Sequence, residues 1–308
     1  MIIEYRYGRF LLANFKIAVI GVPGKWSSEA LADEVEKATG FRLIVDMNQV
    51  LLDLTNGSLR YKQFDLCQFD ALIVKKISTR YSPNSLDRLE LLRVAENAGV
   101  KVFSSADSML RLLNRASCTV TLANAGIAMP PTRLTEDFAE ALIAVEEFGS
   151  AVFKPLYSTK ARGMLLISQK KGFHKIKQEI AAFQAENPLM YIQKKMALGG
   201  RDLGLVFLAG EYLGTYARVS KEDCWNTTIN SGGHYEAYHP SAEIIALATK
   251  AQDLFKMDFT TVDIAETEQG AVVFEVSAFG GFKGAKDGIG INAAQLYVKH
   301  VIKTLKNK

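Results

Sequence analysis

The sequence predicts an α/β fold at its N-terminal end, giving way to paired strands and helices further on. Two patterns carry this. From Lys16 to Phe103 short apolar runs alternate with amphipathic helical ones, the signature of a parallel sheet flanked by helices. At GIAMPPT the prolines Pro130 and Pro131 forbid helix continuation, and the first domain boundary is placed near this break.

KIAVIGV reads as a buried strand and Pro23-Gly24 as a loop, after which Ser28 is placed to cap a helix running to Gly40. RLIVDM, DALIVKKI and KVF supply further strands, and Ser85 to Asn97 an amphipathic helix. GVPGKWSS has neither the spacing nor the Lys-Ser/Thr ending of a phosphate loop, so it is read as a loop touching substrate. Ser105 to Asn124 predicts two short helices, and Phe138 to Phe148 another. SAVFK is a strand ending at Lys154, followed by a loop and a returning strand. That loop carries Ser158, Thr159, Lys160, Arg162 and Gly163, so hydroxyls, cations and backbone amides lie together as a polyphosphate requires. A merely solvated hairpin tip is the alternative.

A helix from Phe173 to Ala185, the strand LMYIQKKM and a hairpin turning at Gly210 follow. The returning arm alternates from Tyr212 to Val219 and includes Arg218, and WNTTINSGG reads as an ordered polar loop or as plain turn chemistry. Ala242 to Lys256 and Ile291 to Leu305 are helical. Between them, Thr261 to Gly284 reads as two strands around a tight turn. Val262, Ile264, Phe274 and Val276 form the buried face, with Asp263, Glu275 and Ser277 on the other. A turn centred on Gln269 sets Asp263 opposite Glu275. Opposed carboxylates repel, so the pattern suits a cation between them, and two carboxylates with a hydroxyl suit magnesium. An acidic surface hairpin is the alternative.

Composition restricts the function classes only mildly. At 308 residues, 48% hydrophobic and a net charge of +4, the chain has room for two domains or more and calls for no nucleic-acid or membrane partner. Cys67, Cys118 and Cys224 are odd in number and lack metal-ligand spacing, which predicts reduced thiols in a cytoplasmic protein. The N-terminal residues lack an export signal, and no uncharged apolar run is long enough to span a membrane. His174, His234, His239 and His300 read as surface or structural residues.

Taken together, these residues resemble the ATP-grasp superfamily, in its glutamate-ligase, RimK-like branch, over nearly the whole chain. In character they are also similar to the ATP-grasp proteins of the GAK gene cassette. The resemblance implies an N-terminal α/β domain (1–112), a small lobe forming a nucleotide lid (113–194) and a C-terminal lobe with a magnesium site (195–308). FKPLYSTKARG resembles the family's phosphate-binding Lys and flexible loop, so Lys154 and Ser158 to Gly163 would hold ATP phosphates. LLNRASCTVTLANAGIAMPPT places Arg115 where a phosphate-contacting Lys usually stands. IQKKM is similar to the strand that contacts adenine, through Gln193 and Met196, and Asp202 matches a ribose-side Asp. Arg218 and Thr228 fall at catalytic positions, although Thr228 stands where Asn is usual and Gly204 where Arg is usual. Asp263, Glu275 and Ser277 match the Mg2+ ligands, with Ser277 in place of Asn. The implied activity is ATP-dependent ligation of a small-molecule or peptide carboxylate to an amine, possible substrates including glutamate, with ATP and Mg2+ as cofactors and assembly as a dimer or tetramer left open. A kinase on the same fold, or a catalytically impaired nucleotide-binding module, is the rival expectation.

Overall fold

The computed structural model describes residues 14–159, 161–221, 227, 229 and 232–307. Its first part contains β1 (Ile17–Ile20), α1 (Trp26–Thr39), β2 (Ile44–Val45), β3 (Leu51–Asp53), β4 (Ser58–Tyr61), β5 (Phe64–Asp65), β6 (Ala71–Val74), α2 (Asn84–Asn97), β7 (Lys101–Phe103) and α3 (Ala106–Leu113). The order β2-β1-β6-β7 is parallel throughout, as the alternation predicted. Every residue of β1 and β6 is buried, because helices cover both faces of such a sheet.

Three details differ from expectation. RLIVDM yields only the two-residue β2. Ser28 does not cap α1, which begins at Trp26 behind Lys25. It lies inside the helix, fully buried, and its Oγ accepts the Val22 amide at 3.1 Å, tying helix to strand end. The small antiparallel sheet β3-β4-β5 was not foreseen, since strands of two to four residues give too little alternation to read.

The middle of the chain holds α4 (Arg115–Asn124), β8 (Thr132–Thr135), α5 (Phe138–Phe148), β9 (Ser150–Lys154), β10 (Leu165–Ser168), α6 (Phe173–Glu186) and β11 (Met190–Lys194). The antiparallel sheet, ordered β10-β9-β11-β8, carries α5 and α6 on one face over a core of its own that includes Phe153, Ile180 and Ile192.

The last part holds β12 (Arg201–Leu208), β13 (Glu211–Val219), β14 (His234–Tyr238), α7 (Ala242–Asp253), β15 (Phe259–Thr267), β16 (Gly270–Val276), α8 (Phe282–Ile289) and α9 (Ala293–Lys306). Its antiparallel sheet runs β14-β13-β12-β15-β16. Helix α7 ends three residues before the expected Lys256, which takes a positive φ of 51°. The stretch ending at Gly284 is not all hairpin, because α8 starts at Phe282.

The β15–β16 pairing puts Asp263 opposite Glu275, as predicted, by a different route. The turn is Glu268-Gln269, so Thr267 pairs with Gly270 and Ile264 with Val273. The register then shifts, and Phe274 is the extra residue that restores the Asp263–Glu275 pair. Val273, not Phe274, therefore occupies the core. Phe274 turns to the cleft described next.

Candidate active site

A cleft of about 680 Å³ lies between the β10-β9-β11-β8 sheet and the β14-β13-β12-β15-β16 sheet, with the segments that follow β1 and β6 closing one side. Arg115, Lys154, Ser158, Thr159, Arg162, Gln193, Met196, Asp202, Arg218, Asp263, Glu275 and Ser277 all line it. Gly163 does not, although its neighbour Met164 does. Gly163 adopts a φ of 69°, which turns the loop back toward β10. Lys160 and Thr228 lie outside the described residues.

The wall from the middle of the chain is cationic. Lys154, at the end of β9, is buried and donates from Nζ to Gln193 Oε1 at 2.5 Å. Gln193 Nε2 in turn donates to Thr132 Oγ1 at 3.0 Å. Gln193 thus orients the lysine, while Met196 lies beyond the end of β11. Burial pushes the Lys154 ammonium down to about 7, Arg115 pushes it the same way, and Glu275 opposes both. Arg115, the first residue of α4, spans the cleft: its Nε donates to Pro155 O at 3.2 Å, and its Nη1 reaches Glu275 Oε2 at 3.0 Å. Its Nη2 lies 3.4 Å from Ser158 Oγ. The loop's Arg162 reaches Thr79 O at 3.5 Å on the N-terminal side.

The opposite wall is acidic and is built on the five-stranded sheet. Tyr216, Gly204, Asp263 and Glu275 are consecutive cross-strand partners on β13, β12, β15 and β16, so they form one row across four strands. Arg218 lies two residues along from Tyr216, on the same face. It makes a two-oxygen ion pair with Asp202, its partner across the ladder, and its Nη2 is 3.0 Å from Asp263 Oδ2. The two carboxylates hold Arg218 well above its ordinary value against the opposing effect of burial. Burial pushes the Asp263 carboxyl up, Glu275 and Asp202 push it the same way, and Arg218 opposes them.

Asp263 Oδ1 is buried without a hydrogen-bond partner, the one such side-chain oxygen or nitrogen among the described residues. A buried carboxylate oxygen with no donor is costly unless a cation meets it. Glu275 opposite it and Ser277 beyond the end of β16 add hard oxygen donors on the cleft side. The donor set therefore fits a divalent cation that keeps other ligands of its own. Among the described residues no three His, Cys, Asp or Glu side chains cluster to hold a metal, so the cleft offers a carboxylate pair and a hydroxyl.

On the N-terminal side the sequence anticipated only the GVPGKWSS loop, whose Lys25, Trp26 and Ser27 line the cleft, and missed Lys75, Lys76 and Tyr81, which also line it, as does Lys283 at the start of α8. Buried Lys75 donates from Nζ to Phe279 O at 2.7 Å and Gly280 O at 2.6 Å, and lies 3.8 Å from the centre of the Phe282 ring. It thereby pins the segment after Ser277. Its signal was available, because the Lys pair directly follows β6 and ligands collect at the carboxyl ends of parallel strands. His234 pairs with Glu236 at 2.7 Å on an exposed strand and does not line the cleft.

Comparison with known proteins agrees with this geometry. Residues 113–301 match the model of the RimK-like ATP-grasp domain. A tetrahydromethanopterin:alpha-L-glutamate ligase of Methanosarcina acetivorans is 24% identical, over 91% of this chain and 96% of its own. A probable alpha-L-glutamate ligase of Thioalkalivibrio sulfidiphilus is 26% identical, over 93% of this chain and 95% of its own. Among solved structures, the ATP-grasp ligase PsnB complexed with a phosphomimetic variant of a minimal precursor, Mg and ADP superposes with a TM-score of 0.72. It shares 16% identity, covering 96% of this chain and 98% of that one. The sheet order, the paired carboxylates facing a buried lysine and the match over 113–301 have one reading: this chain belongs to the RimK-like ATP-grasp family.

Proposed function

We propose that the chain joins a carboxylate to an amine at the expense of ATP, through an acyl phosphate, releasing ADP and phosphate. The observation that carries this is the facing of two opposite walls, Lys154 with Arg115 on one side and Asp263 with Glu275 on the other, across one cleft. Lys154, Arg115 and the 158–163 loop would hold the phosphates, with Gln193 fixing the lysine and Met196 lying toward the base. Asp263, Glu275 and Ser277 would hold Mg2+, which supplies charge neutralisation to the polyphosphate. Asp202, which pairs with Arg218, would meet the ribose side of the nucleotide, and Arg218 would face the reacting carbonyl and its developing oxyanion. Thr228 is assigned beside it as a substrate contact. Closure of the small lobe, 113–194, as a lid would keep water from the acyl phosphate.

The working division of the chain is 1–112, 113–194 and 195–308, in keeping with the three main sheets, which each fall within one of these segments. We take L-glutamate as the first amine to test, because the two similar sequences are named for it. The carboxylate is a small molecule or a peptide end. A cytoplasmic setting is in keeping with the free thiols of Cys67 and Cys118, and no described helix is long and apolar enough to cross a membrane. Assembly as a dimer or tetramer belongs to the same proposal and is checked by light scattering.

The deciding experiment measures ADP release over a panel of amines and carboxylates, with mass detection of the product. An amide whose formation requires the amine supports ligation. A stable phosphorylated product formed without amine identifies a kinase instead, and nucleotide binding without turnover identifies a silent module.

A further inference from the structure

Tyr216 sits in a seat made of glycine. A Cβ built at Gly288 would lie 2.5 Å from Tyr216 Cβ, one at Gly284 2.4 Å from its Cζ, and one at Gly281 2.7 Å from its Oη. These three positions follow one another at helical spacing toward the N-terminal end of α8, so the phenol lies along that face with its hydroxyl leading. Across the sheet a Cβ at Gly204 would lie 2.4 Å from Cζ and 2.6 Å from Oη. Tyr235 packs edge-on at 5.3 Å between ring centres. Such a close seat against backbone fixes the ring in place.

The residue is 3% exposed, yet it lines the cleft, and its hydroxyl makes no hydrogen bond among the described residues. Burial raises its pKa, so the group is a neutral donor throughout the working range. It shares a cross-strand row with Asp263 and a face with Arg218. A rigid, protonated donor on a residue lining the cleft, with no acceptor among the described residues, is placed to donate to what the cleft binds.

We propose that Tyr216 is a substrate-contacting residue whose hydroxyl donates a hydrogen bond to an oxygen of the carboxylate substrate beside Arg218. The inference rests on the ligase reading above. Tyr216→Phe keeps the ring in its seat and removes only the donor; Tyr216→Ala empties the seat. The probes are Mg-ATP, L-glutamate as amine and whichever carboxylate of the panel gives amine-dependent ADP release.

Tyr216→Phe is expected to lower kcat/KM for the carboxylate about tenfold. Its melting midpoint and its stabilisation by Mg-ADP should match those of the unaltered chain. Wild-type kinetics in Tyr216→Phe, with loss of stability only in Tyr216→Ala, would make the residue a packing element and overturn the proposal alone. Loss of Mg-ADP stabilisation in Tyr216→Phe would likewise overturn it, since the hydroxyl would then serve the nucleotide side. If the unaltered chain shows no amine-dependent ADP release with any carboxylate, the ligase reading fails and this proposal with it.

Discussion

The two walls of the cleft are mismatched in opposite senses. On the β9–β11 wall a lysine is buried with an amide oxygen as its hydrogen-bond partner and aromatic faces beside it, and burial, with Arg115 nearby, outweighs Glu275 and drives its proton off near neutrality. On the β12–β16 wall two carboxylates are buried or half-buried with arginines laid against them, and one oxygen has no partner at all. One side lacks an anion, the other a cation. Each conflict costs the folded chain stability on its own, and a magnesium nucleotide bound as proposed would remove both together. The difference between the walls is a binding specification written in unfavourable electrostatics, a common property of functional sites.

The most direct way to break the comparison is to empty the acidic wall. Glu275→Ala or Asp263→Asn is expected to lower ATP turnover by roughly a hundredfold to a thousandfold. Turnover within a factor of two of the unaltered chain would remove these residues from the metal side. Changing the cationic wall should have a smaller effect on turnover and a paradoxical one on stability. Lys154→Met is expected to weaken ATP about a hundredfold, the worth of a charged phosphate contact. Yet it relieves a buried charge. In the unaltered chain burial pushes the Lys154 ammonium down to about 7, well below an ordinary lysine, so across the window between the two values the unfolded chain binds a proton that the folded chain has released. Stability should therefore rise with pH across that window. Lys75 contributes a similar rise, being pushed down to about 7 mainly by its burial. The difference between Lys154→Met and the unaltered chain isolates the first lysine: denaturation curves of the two should converge above pH 10 and separate toward pH 7, with the variant more stable.

A third measurement sharpens the same point without mutation. If phosphates restore the charge on Lys154, nucleotide binding at pH 8 takes up close to one proton, and at pH 5.5 almost none. Calorimetry in buffers of different ionisation enthalpy reads this directly. Equal uptake at both values would mean the lysine is charged before the nucleotide arrives.

How much of this the sequence disclosed depends on whether a feature is periodic or long-range. The parallel sheet, the hairpin at Gly210 and the facing of Asp263 and Glu275 follow from alternation and turn position, which are local. The bulge at Phe274 does not, because an extra residue keeps the charged pair while exchanging which apolar neighbour enters the core. Gly204 read as the loss of a charge, whereas in the fold it is room for the Tyr216 ring, a relation that exists only once β12, β13 and α8 are packed. Lys75 had a local signal in following β6, and Trp26 lay in a loop read as touching substrate, but that both meet this one cleft follows only from the packing of the parallel sheet against the others. Local patterns disclosed the walls; what stands between them needed the tertiary structure.

The smallest expected effect lies at Ser277. Its backbone is fixed from both sides, the amide donating to Thr261 O at 2.8 Å and the carbonyl accepting from Thr260 Oγ1 at 2.7 Å, so a substitution changes reach without moving the strand end. The hydroxyl lines the cleft one residue beyond β16, on the side of Glu275. Ser277→Ala should raise the Mg2+ concentration needed for half-maximal ADP release roughly twofold to tenfold, the worth of one ~1 kcal/mol contact. Ser277→Asn, which carries a hard oxygen one bond further out, should lower it by a similar factor. Melting midpoints should stay within about 2 °C of the unaltered chain for both. Magnesium titrations that do not distinguish the three proteins would assign the cation to the Asp263–Glu275 pair alone and leave Ser277 as part of the cleft floor.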